Sequence, residues 1–513
     1  MIKKELEKLV REAAKKTGIK LPKILITASD YGDYATQAAL TIKNGRKPSG
    51  NAEVIIKNLP KNKIIQKTEE KNGFINFYLS NEFLGESVKE IIKGGSNYGK
   101  NNLKENKSVE VEFISANPTG PLTVGNSRGG VIGDVLANVL ESSGWKVIRE
   151  YYFNDAGGQI DILGHSVLKD KRAEYRGEYI DKLHKEIQEK NFRKAGEKAA
   201  QIIINEIKKT TLKMGIKFDV WTAEGKDLRK TGKLEEIINW LKEKKLAYKK
   251  DGALWFRSTK YDDDKDRVLI RSNGEPTYFA LDCAYHQDKF ITRKFNRVID
   301  IWGADHHGDL ARVKGFVKAL GYEKQFAILV HQFVRVIKDG KEVRMSKRAG
   351  NYILVDDLLD EVGRDVYRFF MLQYAPESHL TFDFELAKKE SKENPVYYLQ
   401  YATARIAGIL RKLPAISYQL SAISFDSYES ALVKELIKFP DLISEISHSY
   451  EVHHLPHYGI RLAKKFHQFY KNCPVIRAES EEVKNSRIAL IKATQIVLKN
   501  TLKILGISAP EKM

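Results

Sequence analysis

The stretch Ser115-Ala116-Asn117-Pro118-Thr119-Gly120-Pro121-Leu122-Thr123-Val124-Gly125-Asn126-Ser127-Arg128-Gly129-Gly130 joins the end of a strand-like run to the start of a helical one. Such a junction presents free backbone N–H groups and the positive end of a helix dipole, which together hold a phosphate. Gly125 has no side chain, so a flat ring or a phosphate can approach the backbone there. Three other motifs fall short. Gly94 to Asn101 spells a phosphate-binding loop up to its last position, where Asn101 replaces the Ser or Thr that would hold magnesium, and it follows a helical run instead of a strand. Asp305, His306 and His307, with Asp309 nearby, are metal-type donors, but adjacent residues at a strand end diverge and no second Asp cluster has ligand spacing. They read as a strand-end loop facing a ligand. The G-x-G-x-x-G fingerprint is absent from the first strand-to-helix turn, which argues against a nicotinamide enzyme.

These residues need a scaffold. Val109, Val111 and Phe113 alternate with Glu110 and Glu112, which predicts a strand whose polar face carries carboxylates. Val131, Ile132, Val135, Leu136, Val139 and Leu140 recur at helical spacing up to Ser142-Ser143-Gly144, and Lys146 to Phe153 reads as a second strand. A strand, helix, strand unit of about 45 residues has the size of a parallel crossover in a nucleotide-binding sheet. More strand material at Arg297 to Ile301 and Gln325 to Val336 predicts that the sheet reassembles after a long insertion. Upstream, Met1 to about Asn106 holds a small mixed α/β unit. In it Leu84, Val88, Ile91 and Ile92 repeat at helical spacing, Gly73 to Leu79 alternates, and the polar run Lys100 to Lys107 reads as a linker. From about Asn394 the pattern is helical, with Ile491, Leu498, Leu502 and Leu505 on one stripe closed by Gly506 and followed by Pro510. The expected division is 1–106, 107–393 and 394–513.

Composition limits the function classes. The chain has 513 residues with 87 Lys+Arg against 67 Asp+Glu, a formal charge of +20, and 42% hydrophobic residues. It can bury several cores, so wholesale disorder is excluded and roughly two to four domains are expected. No run approaches the roughly 18 to 20 apolar residues of a membrane span, and Met1 to Glu7 is too charged to begin a signal peptide. The expected location is the cytoplasm. Cys283 and Cys473 are the only cysteines, which excludes a disulfide scaffold and a Cys-x-x-Cys zinc site. The charge favours a polyanion such as RNA or DNA over the blander reading of a solvated Lys-rich surface.

Longer words make the sequence recognisable. Thr123-Val124-Gly125-Asn126 occupies the place of the H-I-G-H motif of class I aminoacyl-tRNA synthetases, and Arg344-Met345-Ser346-Lys347-Arg348 resembles their second motif, K-M-S-K-S. Tyr152 to Gly157, Tyr175 to Tyr179, Phe218 to Trp221, Pro276 to Asp282 and Trp302 to His307 resemble one family, the arginyl-tRNA synthetases. So do Tyr31 to Thr36, Gly73 to Phe77, Asn394 to Ala402 and the final Leu502 to Met513, so the resemblance covers the whole chain. It implies a fold of the α/β class: a Rossmann-like parallel-sheet catalytic domain of class I between a small N-terminal α/β domain and a C-terminal all-α helical bundle.

The resemblance also implies the chemistry. Arginine's carboxylate attacks the α-phosphate of ATP, and the terminal adenosine of tRNA(Arg) then takes the arginyl group, by positioning and charge stabilisation. Lys347 would bind the phosphates and the departing pyrophosphate, with Ser346, Met345 and Arg348 in its loop. Thr123, Gly125 and Asn126 would face ATP, and Gly303, Asp305 and His306 fall where adenosine binds or abuts the amino acid. Asn117 would hold the substrate's α-amino or carboxylate end, and Glu112, Tyr278 and Asp282 would form the arginine pocket, since a guanidinium fork calls for carboxylates and a phenol. In the C-terminal domain Tyr397, Tyr398, Gln400, Tyr401 and Arg405 offer stacking surfaces and edge-reading groups for anticodon bases. Magnesium is expected with ATP and without a site of its own, and the family habit is a monomer. Thr123 and Asn126 stand where the family usually has His, so a non-catalytic tRNA-binding relative is the alternative reading. A class I synthetase for another amino acid is disfavoured by the acidic pocket residues.

Overall fold

The structure is a computed structural model that describes residues 1–102, 104–343, 353–412 and 425–513. Its centre is a parallel sheet of β1 (Ser108–Glu112), β2 (Lys146–Phe153), β3 (Val220–Ala223), β4 (Arg297–Gly303) and β5 (Phe326–His331). The spatial order is β5-β4-β1-β2-β3, with every neighbouring pair parallel. The chain therefore starts in the middle, winds outward through β2 and β3, then returns to β1's other side. Ligands of such sheets bind beyond the carboxyl ends of the strands where the winding reverses, here between β1 and β4.

The helix that follows β1, α1 (Val124–Ser142), forms where the apolar spacing predicts one. Val131, Val135, Leu136 and Val139 are fully buried. Two expectations change. The strand material at 325–336 divides: β5 ends at His331, and Val334–Lys338 pairs with Leu380–Asp383 in another sheet. The carboxylate face of β1 is no surface, because Glu110 and Glu112 are 0% and 5% exposed. A central parallel strand is covered on both faces, so alternation there does not mark solvent.

Between β3 and β4 an insertion forms a core around Phe256, Phe279 and Phe290, packed with Phe316 of the helix Leu310–Ala319 that follows β4; it has a small antiparallel sheet and the helix α2 (Tyr278–Gln287). Two π-helical turns flank it, Glu224–Arg229 and Asp288–Thr292, an irregularity that recurs at functional sites. Upstream lies a four-stranded antiparallel sheet in the order Ile26–Ala28, Tyr34–Thr36, Phe74–Leu79, Ile65–Lys71. Downstream are the helices Pro395–Leu410, Ser427–Leu436, Phe439–Ser449, His454–Asn472 and Glu481–Leu505. Cys283 and Cys473 are buried free thiols. Among the described residues no helix is long and apolar enough to cross a membrane.

Polar contacts tie the bundle to the rest. Asn500 Nδ2 donates to Gly95 O and Tyr98 O, both at 3.0 Å. Arg368, wholly buried, donates to Asp134 Oδ2 at 2.6 Å, Leu505 O at 2.8 Å and Met214 O at 3.1 Å. The last long helix ends on Gly506 at φ 68°, where a Cβ would overlap the Arg368 guanidinium. Glycine satisfies both the left-handed cap and the close approach. Arg368→Met should lower stability by about 3 kcal/mol, since it strips a buried carboxylate of its closest cation. A lower denaturation midpoint, with faster amide exchange in 481–505 than in the five-stranded sheet, is the expected reading; unchanged exchange in that helix would contradict it.

Candidate active site

Directly after β1 the backbone turns back sharply, with Ile114 at φ 69° and Ser115 at φ 41°. Left-handed conformations cost a β-branched residue on the order of 1–3 kcal/mol, and surrounding bonds must hold it there. They do. Ser115 Oγ donates to Glu112 Oε1 at 2.8 Å and accepts from Tyr152 N at 3.1 Å, while Tyr151 Oη donates to Ala116 O at 2.8 Å. Asn117 is held as firmly: its Oδ1 accepts from Asn154 N at 3.1 Å and its Nδ2 donates to Gln159 Oε1 at 2.7 Å. The loop then enters α1 through Thr123, whose hydroxyl donates to Asn126 Oδ1 at 2.8 Å. That bond orients the Asn126 amide so that its N–H groups remain for a ligand at the helix start.

This loop walls a cleft of about 960 Å³ at the reversal point. Glu112, Asn117, Thr123, Gly125, Asn126, Tyr278, Asp282, Gly303, Asp305 and His306 all line it. Tyr278 and Asp282 sit one turn apart on α2, whose first turn is capped by Thr277 Oγ1 accepting from Ala280 N at 3.3 Å. The loop after β4 brings Asp305, His306 and Asp309, with His306 3.6 Å from Asp309 and 3.7 Å from Asp305. Met345, Ser346, Lys347 and Arg348 lie outside the described residues. Their flanks do not: Glu342 and Val343 line the cleft, and Val124 N donates to Ile353 O at 3.2 Å beside the Thr123–Leu354 bridge.

Three family models match this chain. The N-terminal domain of arginyl tRNA synthetase covers residues 2–79, the catalytic domain of class I (R) tRNA synthetases covers 87–197 and 176–371, and the DALR anticodon binding domain covers 399–513. Arginine–tRNA ligase 1 of Halalkalibacterium halodurans is 39% identical over 552 aligned residues, spanning all of this chain and 98% of that one. The arginine–tRNA ligase of Caldanaerobacter subterraneus is 42% identical over 94% of this chain and 92% of its own length. The chain belongs to the arginyl-tRNA synthetase family. The solved arginyl-tRNA synthetase of Thermus thermophilus shares the fold along the full length of both chains, at a TM-score of 0.82 and 22% identity.

The cleft of this synthetase also holds charged groups that sequence reasoning missed. Under Glu112 lies Lys289, 0% exposed, its Nζ 2.6 Å from Glu112, 2.8 Å from Asp300 and 3.2 Å from Glu110. On the next strand Glu150 pairs with Arg293 and accepts from Tyr285 Oη at 2.8 Å and Thr222 Oγ1 at 2.6 Å. His286 faces an acceptor at each ring nitrogen, Asp282 O at 2.7 Å and Asp300 Oδ2 at 2.9 Å. Burial pushes the Glu110 carboxyl well above its ordinary value, with Lys289 acting against it. Burial works the same way on Asp300, but Lys289 and His286 outweigh it and hold that carboxyl low. Glu224 accepts from Tyr152 Oη at 2.7 Å and pairs with Arg229 at 2.7 Å. Asp282 faces Arg312 at 3.5 Å, and burial raises its carboxyl to about 6. His331, at the end of β5, is driven down to about 4 by burial and is neutral. The one sequence clue to Lys289 and Arg293 is that they follow the α2 residues within a turn or three; their carboxylate partners are far away in sequence.

In the bundle the rings of Tyr397 and Tyr401 stack at 6.3 Å, and Arg405 lies over Tyr401 at 4.5 Å and Tyr470 at 4.7 Å. Tyr398 packs on His467 at 4.8 Å. Gln400 is committed elsewhere: its amide donates to Asp365 at 2.9 Å and to Ser508 O and Oγ at 3.1 and 3.0 Å, joining the bundle to the catalytic unit.

Gly125 gives a clean separation of fold from ligand. A Cβ there would meet only Thr123 Oγ1, at an ordinary 3.8 Å. Gly125→Ala should therefore leave the thermal midpoint unchanged while the KM for ATP rises roughly ten- to hundredfold through misplacement of the nucleotide. An unaltered ATP KM would remove Gly125 from the nucleotide surface.

Proposed function

We propose that this cleft activates L-arginine with ATP and passes the arginyl group to tRNA(Arg). The observation that carries the reading is the convergence, at the sheet's reversal point, of the α1 N-terminus with a carboxylate-lined wall in a chain of this family. The guanidinium fits against Asp282, Tyr278 and Glu112, a fork of N–H donors against two carboxylates and a phenol. Asn117, fixed by Asn154 and Gln159, sets the α-amino and carboxylate end.

ATP lies with its phosphates over Gly125 and the Asn126 amide and its adenosine toward Gly303, Asp305 and His306. A carboxylate oxygen of arginine then attacks the α-phosphorus in line. The new O–P bond forms as the bond to the β-phosphate oxygen breaks, giving arginyl-adenylate and pyrophosphate. Lys347, with Met345, Ser346 and Arg348, neutralises the departing pyrophosphate; Val343 and Ile353 on either side are anchored at the cleft. A ribose hydroxyl of the tRNA's terminal adenosine next attacks the arginyl carbonyl and AMP leaves. Magnesium enters with the nucleotide, because the carboxylates that converge at the cleft floor, Glu110, Glu112 and Asp300, already share the Lys289 ammonium. Tyr401 and Arg405, with Tyr397 and Tyr470, offer stacking faces for unstacked anticodon bases. The protein acts as a monomer in the cytoplasm.

Charging of total tRNA with each of the twenty labelled amino acids tests this. Arginine alone should be charged, and Lys347→Ala should reduce the rate by about a hundredfold or more, the loss typical when a transition-state charge partner goes. Salt-sensitive tRNA binding without charging would instead make the chain a non-catalytic relative. A second test uses pH. Asp282 sits above its ordinary value, so it gains its proton as pH falls through about 6 and the guanidinium loses one of its two carboxylate partners. The kcat/KM for arginine should fall about tenfold per pH unit below that point, and Asp282→Asn should abolish the dependence.

A further inference from the structure

Lys289 belongs to none of the motifs above, yet it is buried directly against two residues that line the cleft, Glu112 and Asp300. It sits on the π-helical turn Asp288–Thr292 and is 0% exposed. Its ammonium touches one residue that lines the arginine wall, Glu112 at 2.6 Å, and two more acids on β1 and β4. The other oxygen of Glu112 accepts from Ser115. Both Glu112 oxygens are thus held from the protein side, and the carboxylate's edge is presented to the cleft in one orientation.

Burial opposes the ionisation of Glu112 and raises its carboxyl above the ordinary value; Lys289 acts against that rise, and neighbouring acids add to it. Asp300 faces it across the β1–β4 pair, Glu110 lies two residues back on its own strand and Glu150 is opposite on β2, while the Lys289 ammonium sits 4.2 Å from the Tyr285 ring of α2. His286 is engaged by Asp300 and the Asp282 carbonyl, and Arg293 by Glu150 and Asp288. Lys289 is the only cation whose charge lies directly against Glu112 among the described residues. A carboxylate buried in such company takes up a proton when its cation is removed, and a protonated Glu112 offers a guanidinium little.

We propose that Lys289 is a positioning residue for the amino-acid pocket: its buried ammonium keeps Glu112 ionised and oriented toward the substrate guanidinium. This rests on the assignment of Glu112 to that pocket. Lys289 touches no substrate; it acts through Glu112.

The two readings separate in one set of assays on the full chain, with KM measured for arginine and for ATP between pH 7 and 9. Lys289→Met keeps the length of the side chain and removes the charge. It should raise the arginine KM more than tenfold at pH 7, leave the ATP KM within about threefold, and recover toward the wild-type arginine KM as pH rises and Glu112 ionises. A loss with no recovery at high pH, an equal rise in both KM values, or no rise would overturn the inference. Glu112→Gln is the control: if it leaves the arginine KM unchanged, the pocket assignment itself fails, whereas a rise there without one in Lys289→Met sinks only the role of Lys289. Should Lys289→Met not fold, Lys289→Arg decides, because it keeps the charge: an arginine KM within about threefold of wild type supports the role, and a tenfold rise with an unmoved ATP KM contradicts it.

Discussion

A carboxylate inside a parallel sheet has no water to solvate it and must find a cation. Adjacent strands of this sheet carry Glu110, Glu112, Glu150 and Asp300, all buried. Glu112 and Asp300 lie opposite each other across the β1–β4 pair, and Glu112 and Glu150 across β1–β2. Isolated charges in such a place cost several kcal/mol each. The insertion after β3 answers this, because the turn that ends α2 delivers Lys289 and Arg293 into the middle of the acids. Closing the charge network and seating α2 over the cleft are one event. The same event places Tyr278 and Asp282 on the wall that faces β1.

A second constraint acts at the end of β1. The chain must leave the strand, expose Asn117 and start α1 with its N–H groups toward the cleft, all within about a dozen residues. Two consecutive left-handed residues, Ile114 and Ser115, make the turn. Their strain is offset by bonds from β2 and the loop after it, which fix Ser115, Ala116 and Asn117 in turn. One turn into α1, the buried Arg128 donates to the carbonyls of Gln332, Ala375, Pro376 and Ser378, so the α1 end of the cleft is tied to the segment that follows β5. Two of those carbonyls also accept backbone N–H groups, Pro376 O from Gln332 N at 2.9 Å and Ala375 O from Ser378 N at 3.0 Å, so Arg128 reinforces a turn that is already bonded.

What the sequence made legible follows from how local each signal is. The β1, α1, β2 unit showed because its apolar periodicity lies within each element. The words around Asn117, Gly125, Tyr278 and Asp305 were readable because each is a short contiguous motif, and all four line one cleft. The burial of Glu110 and Glu112 was not readable, since alternation cannot tell a solvated face from one covered by a distant lysine. The division of 325–336 into two sheets was also hidden: apolar residues flank His331 and Gln332 on both sides, and the Arg128 guanidinium that takes the Gln332 carbonyl at the break comes from far upstream in sequence. Gln400 looked like a base-reading group in its tyrosine-rich context, but its partners Asp365 and Ser508 come from other elements.

Those long-range polar contacts share a pattern. Arg368, Gln400 and Asn500 each take carbonyls or carboxylates from a different part of the chain, and all three lie where the helical bundle meets the units upstream. Apolar burial makes the bundle cohere, but it is non-directional and leaves relative placement loose. Hydrogen bonds to buried backbone acceptors fix it, because a shifted helix would strand both partners without water. Asp365 lies on the helix Arg364–Met371, as does Arg368, and that helix leads from the second motif region toward the bundle. The surface carrying Tyr401 and Arg405 is thereby held in a set geometry to the cleft. A polynucleotide engaged at both places meets a frame whose spacing is decided before it binds.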